Sequence, residues 1–95
     1  EGDRFSVPRT LDLHPNFPDP FTQTTAVSYT IPEPTVVNIA VYDVLGRRVA
    51  KIVDEPKEAG TYTTHWNANG LAGGTYFLRL QTISGQAVEA ISIIK

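Results

Sequence analysis

The sequence predicts an all-β protein, an immunoglobulin-like antiparallel sandwich of two sheets and about seven strands. Three observations carry this. Apolar and polar residues alternate with a period of two in several short runs, such as Val37, Ile39 and Val41 against Asn38, Ala40 and Tyr42. Clusters of Gly, Pro and Asn punctuate those runs at hairpin-like spacing. Apolar positions nowhere recur at the 3.6-residue period of an amphipathic helix, so essentially no helix is expected. The Cys-Trp-Cys pattern of antibody domains is absent, and a small barrel would satisfy the same alternation.

Ninety-five residues make one domain. A chain of that size buries roughly two-thirds of its unfolded surface, enough for a core without metal or disulfide support. There is no Cys and no Met, which excludes a disulfide framework and any Cys-based zinc or redox site. Ten acidic residues against eight Lys and Arg give a net charge of -2, which provides no electrostatic basis for binding nucleic acid or an anionic membrane. No apolar run approaches the roughly 18 residues of a bilayer-spanning helix, so no direct membrane insertion is expected. The N-terminal residues do not have the charged, apolar and small-residue order of a leader.

In chain order, residues 1–10 are expected to be a linker and residues 11–95 the folded domain. Leu11 and Leu13 flank Asp12 and suit a short edge strand. Pro15, Pro18 and Pro20 follow, so that segment is expected to run extended over a sheet edge with Phe17 and Phe21 turned inward. Thr24 to Ile31 alternates cleanly and ends at Pro32. The central hairpin comes next: Asp43-Val44-Leu45-Gly46 suits a type I turn with Gly46 at positive φ in a bulge. Val49, Ile52 and Val53 break strict alternation and suggest a bulge. Residues 54–60 read as a charged loop. Thr61 to Asn67 sets Tyr62, Thr64 and Trp66 on one face, with Trp66, the sole Trp, as the expected core centrepiece. Residues 67–74 form a Gly- and Asn-rich loop anchored by Leu71. Tyr76, Leu78 and Leu80 then face the core opposite Phe77, Arg79 and Gln81. Ser84-Gly85 is a short turn before the last strand, Ala87 to Ile94.

Candidate chemistry is sparse. His14 and His65 lie far apart, with no second ligand at metal spacing beside either. No turn exposes a Ser in a nucleophile elbow. Asp54, Glu55 and Glu58 lack the ligand order of a calcium loop, and Gly70, Gly73 and Gly74 lack the Lys-Ser/Thr pair and helix of a phosphate loop. No catalytic, cofactor or metal residue is assigned, so an enzyme is not expected. Tyr42 and Phe77, flanked by Arg79, form the sole candidate for a ring platform of the kind that carbohydrate-binding sandwiches use.

Several motifs in order give a more specific reading. Asn16-Phe17-Pro18-Asp19-Pro20-Phe21 resembles the Asn-Tyr-Pro-Asn-Pro-Phe box of the type IX secretion system C-terminal sorting domain, with Phe17 for Tyr and Asp19 for the second Asn. The Tyr29-x-x-Pro32 segment, the hairpin with Asp43, Gly46 and Arg47, Ala59-Gly60, the run from Trp66 through Leu71, Gly74, Tyr76 and Leu80, and Lys95 are similar to that family's later motifs. The last strand has Glu89 and Ala90 where the family often has basic residues. The resemblance implies a non-catalytic sorting signal, without cofactor, that carries a covalently linked N-terminal cargo across the outer membrane of Bacteroidetes-type bacteria to the cell surface or medium. It implies the translocon and its shuttle proteins as partners, transit through the periplasm, and removal by a sortase-like peptidase at a bond before Leu11. The rival classes are an immunoglobulin-like structural module and a carbohydrate-binding accessory module of a secreted enzyme.

Overall fold

The computed structural model describes residues 11–95, so the expected linker, residues 1–10, lies outside the described residues. Seven strands form among them: β1 (Asp12–Leu13), β2 (Thr24–Ile31), β3 (Thr35–Tyr42), β4 (Arg48–Lys57), β5 (Gly60–Asn67), β6 (Gly74–Thr82) and β7 (Gly85–Ile93). They pair as two antiparallel sheets, β1-β2-β5 and β4-β3-β6-β7, and no helix occurs among the described residues. The two-sheet sandwich is therefore the fold, and the barrel alternative is set aside.

Alternation does the sorting. On β2, Val27, Tyr29 and Ile31 are fully buried while Ala26, Ser28 and Thr30 are half-exposed. On β3, Val37, Ile39 and Val41 line the inner face of the other sheet, side by side with Leu78 and Leu80 of β6 and with Ile91 of β7 beyond them. A buried aliphatic side chain of this size stabilises by roughly 1.5–3 kcal/mol, which is why the register of each strand is fixed by its apolar row. On the outer side, Ser28 and Thr63 share a hydroxyl hydrogen bond of 2.9 Å, as do Thr30 and Thr61.

Tyr62, Thr64 and Trp66 lie on the inward side of β5, as the parity requires. Tyr62 stacks on the buried Tyr29 with ring centroids 5.6 Å apart, and burial pushes the Tyr29 hydroxyl to a raised pKa. Trp66 is buried at one end of the sandwich beside Phe21, whereas the completely enclosed side chains are Tyr29 and aliphatic residues such as Ile39, Leu78 and Leu80. The expected centrepiece is thus an end plug.

Three other expectations change. The charged segment after Val53 is strand up to Lys57: Glu55 pairs with Val37 and Lys57 with Thr35, leaving only Glu58 and Ala59 between β4 and β5. An edge strand tolerates this composition because its outer row of backbone groups faces water. Pro56 sits in that row, so its missing N–H costs no ladder bond. The β3–β4 register shifts between Ile39 and Ala40 and again between Val41 and Tyr42, which places the irregularity near Ile52 and Val49 where alternation failed. Phe17 does not turn inward. It is 78 % exposed, because its backbone is committed to Ala26 by paired hydrogen bonds of 3.0 and 2.8 Å, and only Phe21 closes the core. The β6–β7 turn is Ile83-Ser84, one residue earlier than expected, with Thr82 opposite Gly85.

Candidate functional site

Four segments distant in the sequence converge on one end of the sandwich: the proline box, the tip of the β3–β4 hairpin, the loop between β5 and β6, and the end of β7. The box is held by a small buried network. Asn16 is buried, and its Nδ2 donates to Thr25 Oγ1 at 3.0 Å and to the Pro18 carbonyl at 3.3 Å, while Thr25 Oγ1 donates to that same carbonyl at 2.8 Å. Both X-Pro bonds, Phe17-Pro18 and Asp19-Pro20, are cis. The segment then crosses to the other sheet. Asp19 Oδ1 accepts the Ser92 N–H at 3.0 Å, and Phe21 makes a parallel bridge to Ile93 through Phe21 N–H to Ser92 O and Ile94 N–H to Phe21 O. The Phe21 ring meets Trp66 edge-on at 6.0 Å. The residue that departs from the family's second Asn therefore still serves as an acceptor, here for the last strand.

At the hairpin tip the Gly46 N–H donates to Asp43 O at 3.0 Å, and the Asp43 N–H donates to Arg47 O at 2.9 Å. Gly46 has φ +84°, as the turn requires. The Asp43 carboxylate accepts the Leu45 and Arg47 N–H groups at 2.9 Å each and the Arg47 guanidinium at 2.8 Å. These contacts, above all the Arg47 backbone N–H, hold the Asp43 carboxyl below the usual carboxylate range. Side-chain acceptance by Asp at the first turn position leaves Val44 and Leu45 with no polar task, and both point to solvent, 67 % and 75 % exposed.

The loop from β5 follows the hairpin tip in space. Tyr76 is buried and its hydroxyl donates to Ala72 O at 2.7 Å, which pins the loop to β6. A Cβ at Gly73 would stand 3.2 Å from Ile93 O and from Lys95 N and Cβ, so a side chain there would require the C-terminal residues to give by a few tenths of an ångström. Between hairpin and loop lies an open groove of about 300 Å³, lined by Asp43, Val44, Leu45, Arg47, Gly74 and Tyr76 among others.

With that end assembled, comparison with known families becomes specific. The secretion system C-terminal sorting domain matches residues 16–95. The chain belongs to that family. Its members are type IX secretion sorting signals, and export across the outer membrane toward the cell surface or medium follows from membership. No curated protein matches the chain significantly.

Of the residues read from sequence as carrying the sorting motifs, Asn16, Phe21 and Tyr76 are buried and build the end, while Pro18, Pro20, Gly46, Arg47, Gly74 and Lys95 are exposed on it and Asp43 braces the hairpin turn. Three residues of this end were not singled out. Thr25 reads as one more position of an alternating strand, although a hydroxyl on the inward side was a signal that it needed a buried acceptor. Val44 and Leu45 read as turn filler, although apolar residues at the centre of a turn are themselves unusual. The histidines stay apart, with His14 Nε2 at 3.1 Å from Thr30 Oγ1 and His65 exposed, and no cluster of three metal-ligating side chains occurs among the described residues. The Tyr42 ring lies under Arg79, whose guanidinium stacks 4.7 Å from its centroid and donates to its hydroxyl at 2.7 Å, so the Tyr42 ring is not a free platform.

Proposed function

We propose that residues 11–95 act as a removable address: the translocon and its shuttle proteins bind the domain at the motif end, and a sortase-like peptidase cuts before Leu11 once the cargo is outside. One observation carries this reading. Four separated segments deliver the proline box, the Asp43–Arg47 turn, Gly74 with Tyr76, and Lys95 to one end of the sandwich, while Pro32 and Gly60 lie at the other. β1, which joins the preceding chain, instead pairs Asp12 with Thr30 at the other end of β2. The described chain thereby begins about a strand length from the reading surface, about 26 Å for eight residues. Leu45, Arg47 and Lys95 are the exposed contact residues in this proposal, and transit is periplasmic.

The test is a fusion of a neutral cargo to residues 1–95 in a bacterium with an active type IX system. The fusion should appear outside the cell. The cargo alone should stay in the periplasm, and the triple change Leu45→Ser, Arg47→Ala, Lys95→Ala should retain most of it there while the domain remains folded by circular dichroism. Export of the cargo without the domain would refute the reading.

A further inference from the structure

The sandwich has four sheet edges, and they are protected unequally. Along β4 the register is broken twice, Pro56 and Asp54 face outward, and Lys51 pairs with Asp54 at 3.3 Å. These are features that deter strand addition. β1 is two residues long, and the β2 edge beyond it is already taken by His14 and Phe17. β5 also has an open outer row, but it is flanked by the polar, exposed side chains of Thr61, Thr63 and His65, and the two Thr hydroxyls are committed across to β2. β7 differs from these. Every residue of β7 has a register partner on β6, and because the Ser92 groups bond away from β6, alternation of the antiparallel ladder turns the N–H and C=O groups of its even-numbered residues outward. Those of Ser92 are used by Asp19 and Phe21. Those of Gln86, Val88 and Ala90 have no partner among the described residues.

The side chains on this open stretch have a definite pattern. Val88, 53 % exposed, and Ala90 lie on the outer face. Glu89 lies half-buried on the inner side and has no ion pair among the described residues. We propose that this edge receives an extended strand from a protein of the export apparatus, which adds a fifth strand to the β4-β3-β6-β7 sheet. The incoming strand carries apolar side chains against Val88 and Ala90 and a basic one against Glu89. Backbone groups at an edge are complemented by another backbone, and the flanking row sets which strand fits. The single bridge from Phe21 to Ile93 already begins such an added strand, and the open stretch from Gln86 to Ala90 continues it for about 13 Å. This inference rests on the sorting reading above and adds to the motif end a second gripping surface, the β7 edge that leads away from Ile93.

The experiment uses the same fusion in the same host. Val88→Pro removes an outward N–H that β6 does not use, Val88→Lys installs an edge-blocking charge, and Glu89→Lys reverses the selecting charge. Thr63→Pro and Thr63→Lys make the first two changes on the β5 edge. The β7 variants should lower extracellular cargo about tenfold or more, the β5 variants should not, and midpoints of melting should stay within about 4 °C. Where Val88→Pro unfolds the domain, Val88→Lys and Glu89→Lys decide. Wild-type export by these two overturns the proposal and leaves the sorting reading intact, whereas a wild-type fusion that is not exported removes both. A fusion that sediments as a dimer, becomes monomeric with Val88→Lys and is still exported would assign the edge to a second copy of this chain and overturn the proposal.

Discussion

The network at Asn16 gives the most direct test of how the proline box is attached. Asn16→Ala deletes hydrogen bonds to Thr25 Oγ1 and Pro18 O, at 3.0 and 3.3 Å. At about 1 kcal/mol net for each buried hydrogen bond, and with a small void added, the expected loss is about 2–3 kcal/mol. It is not larger because the Pro18 carbonyl keeps the Thr25 hydroxyl at 2.8 Å and is not orphaned. Thr25→Val also removes two bonds, and in addition leaves the Asn16 amide with only its longer contact, so about 2–3 kcal/mol is again expected. The Asn16–Thr25 bond is common to both deletions. The double variant should therefore cost less than the sum of the singles by about 1 kcal/mol, the value of that bond. Urea melts of the four proteins, fitted with a shared slope, measure this against a total stability of about 5–15 kcal/mol. Strict additivity, with a coupling below about 0.3 kcal/mol, would show that the two side chains do not act together and that the box is held by its backbone bonds alone.

Trp66→Ala should cost about 3–5 kcal/mol, since the ring plugs the end of the sandwich against Phe21, and a loss below about 1 kcal/mol in the same melts would contradict that packing. Gly46→Val should cost about 1–2 kcal/mol. The strain comes from the backbone at φ +84°, not from a collision, because no atom beyond the chain neighbours lies within 4 Å of a Cβ placed there, and an unchanged midpoint would exclude this turn geometry. Asp43 titrates below its unfolded value, so its contribution is present above the unfolded pKa of about 3.9 and is lost as pH falls through the lower, folded value. An NMR titration of its carboxyl carbon should show a midpoint under about 3.9, with the Leu45 and Arg47 amides shifting in step, and a midpoint at or above it would mean that the turn does not hold the carboxylate.

The architecture was legible wherever burial is one-sided. Val27, Tyr29 and Ile31, and later Tyr76, Leu78 and Leu80, announce their faces because a one-residue slip would expose the whole row. The hairpin was legible because Asp at the first turn position and Gly at the fourth have local causes. Legibility failed where a distant partner decides. Asp54 to Lys57 looks like a loop until β3 supplies Val37 and Thr35 across the ladder, and there Lys57 covers the Tyr62 ring at 4.9 Å. Phe17 looks like core because it is aromatic, yet its backbone bonds to Ala26 set its direction. At the motif end, the residues were readable but their convergence was not, since nothing local relates Asp19 to Ser92 or Gly73 to Lys95.

That convergence bears on what kind of signal the chain can carry. A linear tag displays its determinants whether or not the rest of the chain is folded. Here Arg47 is oriented by a turn that exists only while β3 and β4 are paired, the loop at Gly74 is pinned by Tyr76 through Ala72, and the box is fastened to both sheets, by Asn16 to Thr25 and by Asp19 and Phe21 to β7. Loss of the core disperses these contacts together, because each depends on strands whose pairing is cooperative. The open stretch of β7 shares this dependence, since Gln86, Val88 and Ala90 line an edge only while β6 holds the other side of the strand. A partner that grips either surface therefore binds the folded sandwich and not the unfolded chain, and binding shifts the folding equilibrium toward the state it reads by RT ln(1 + [L]/Kd).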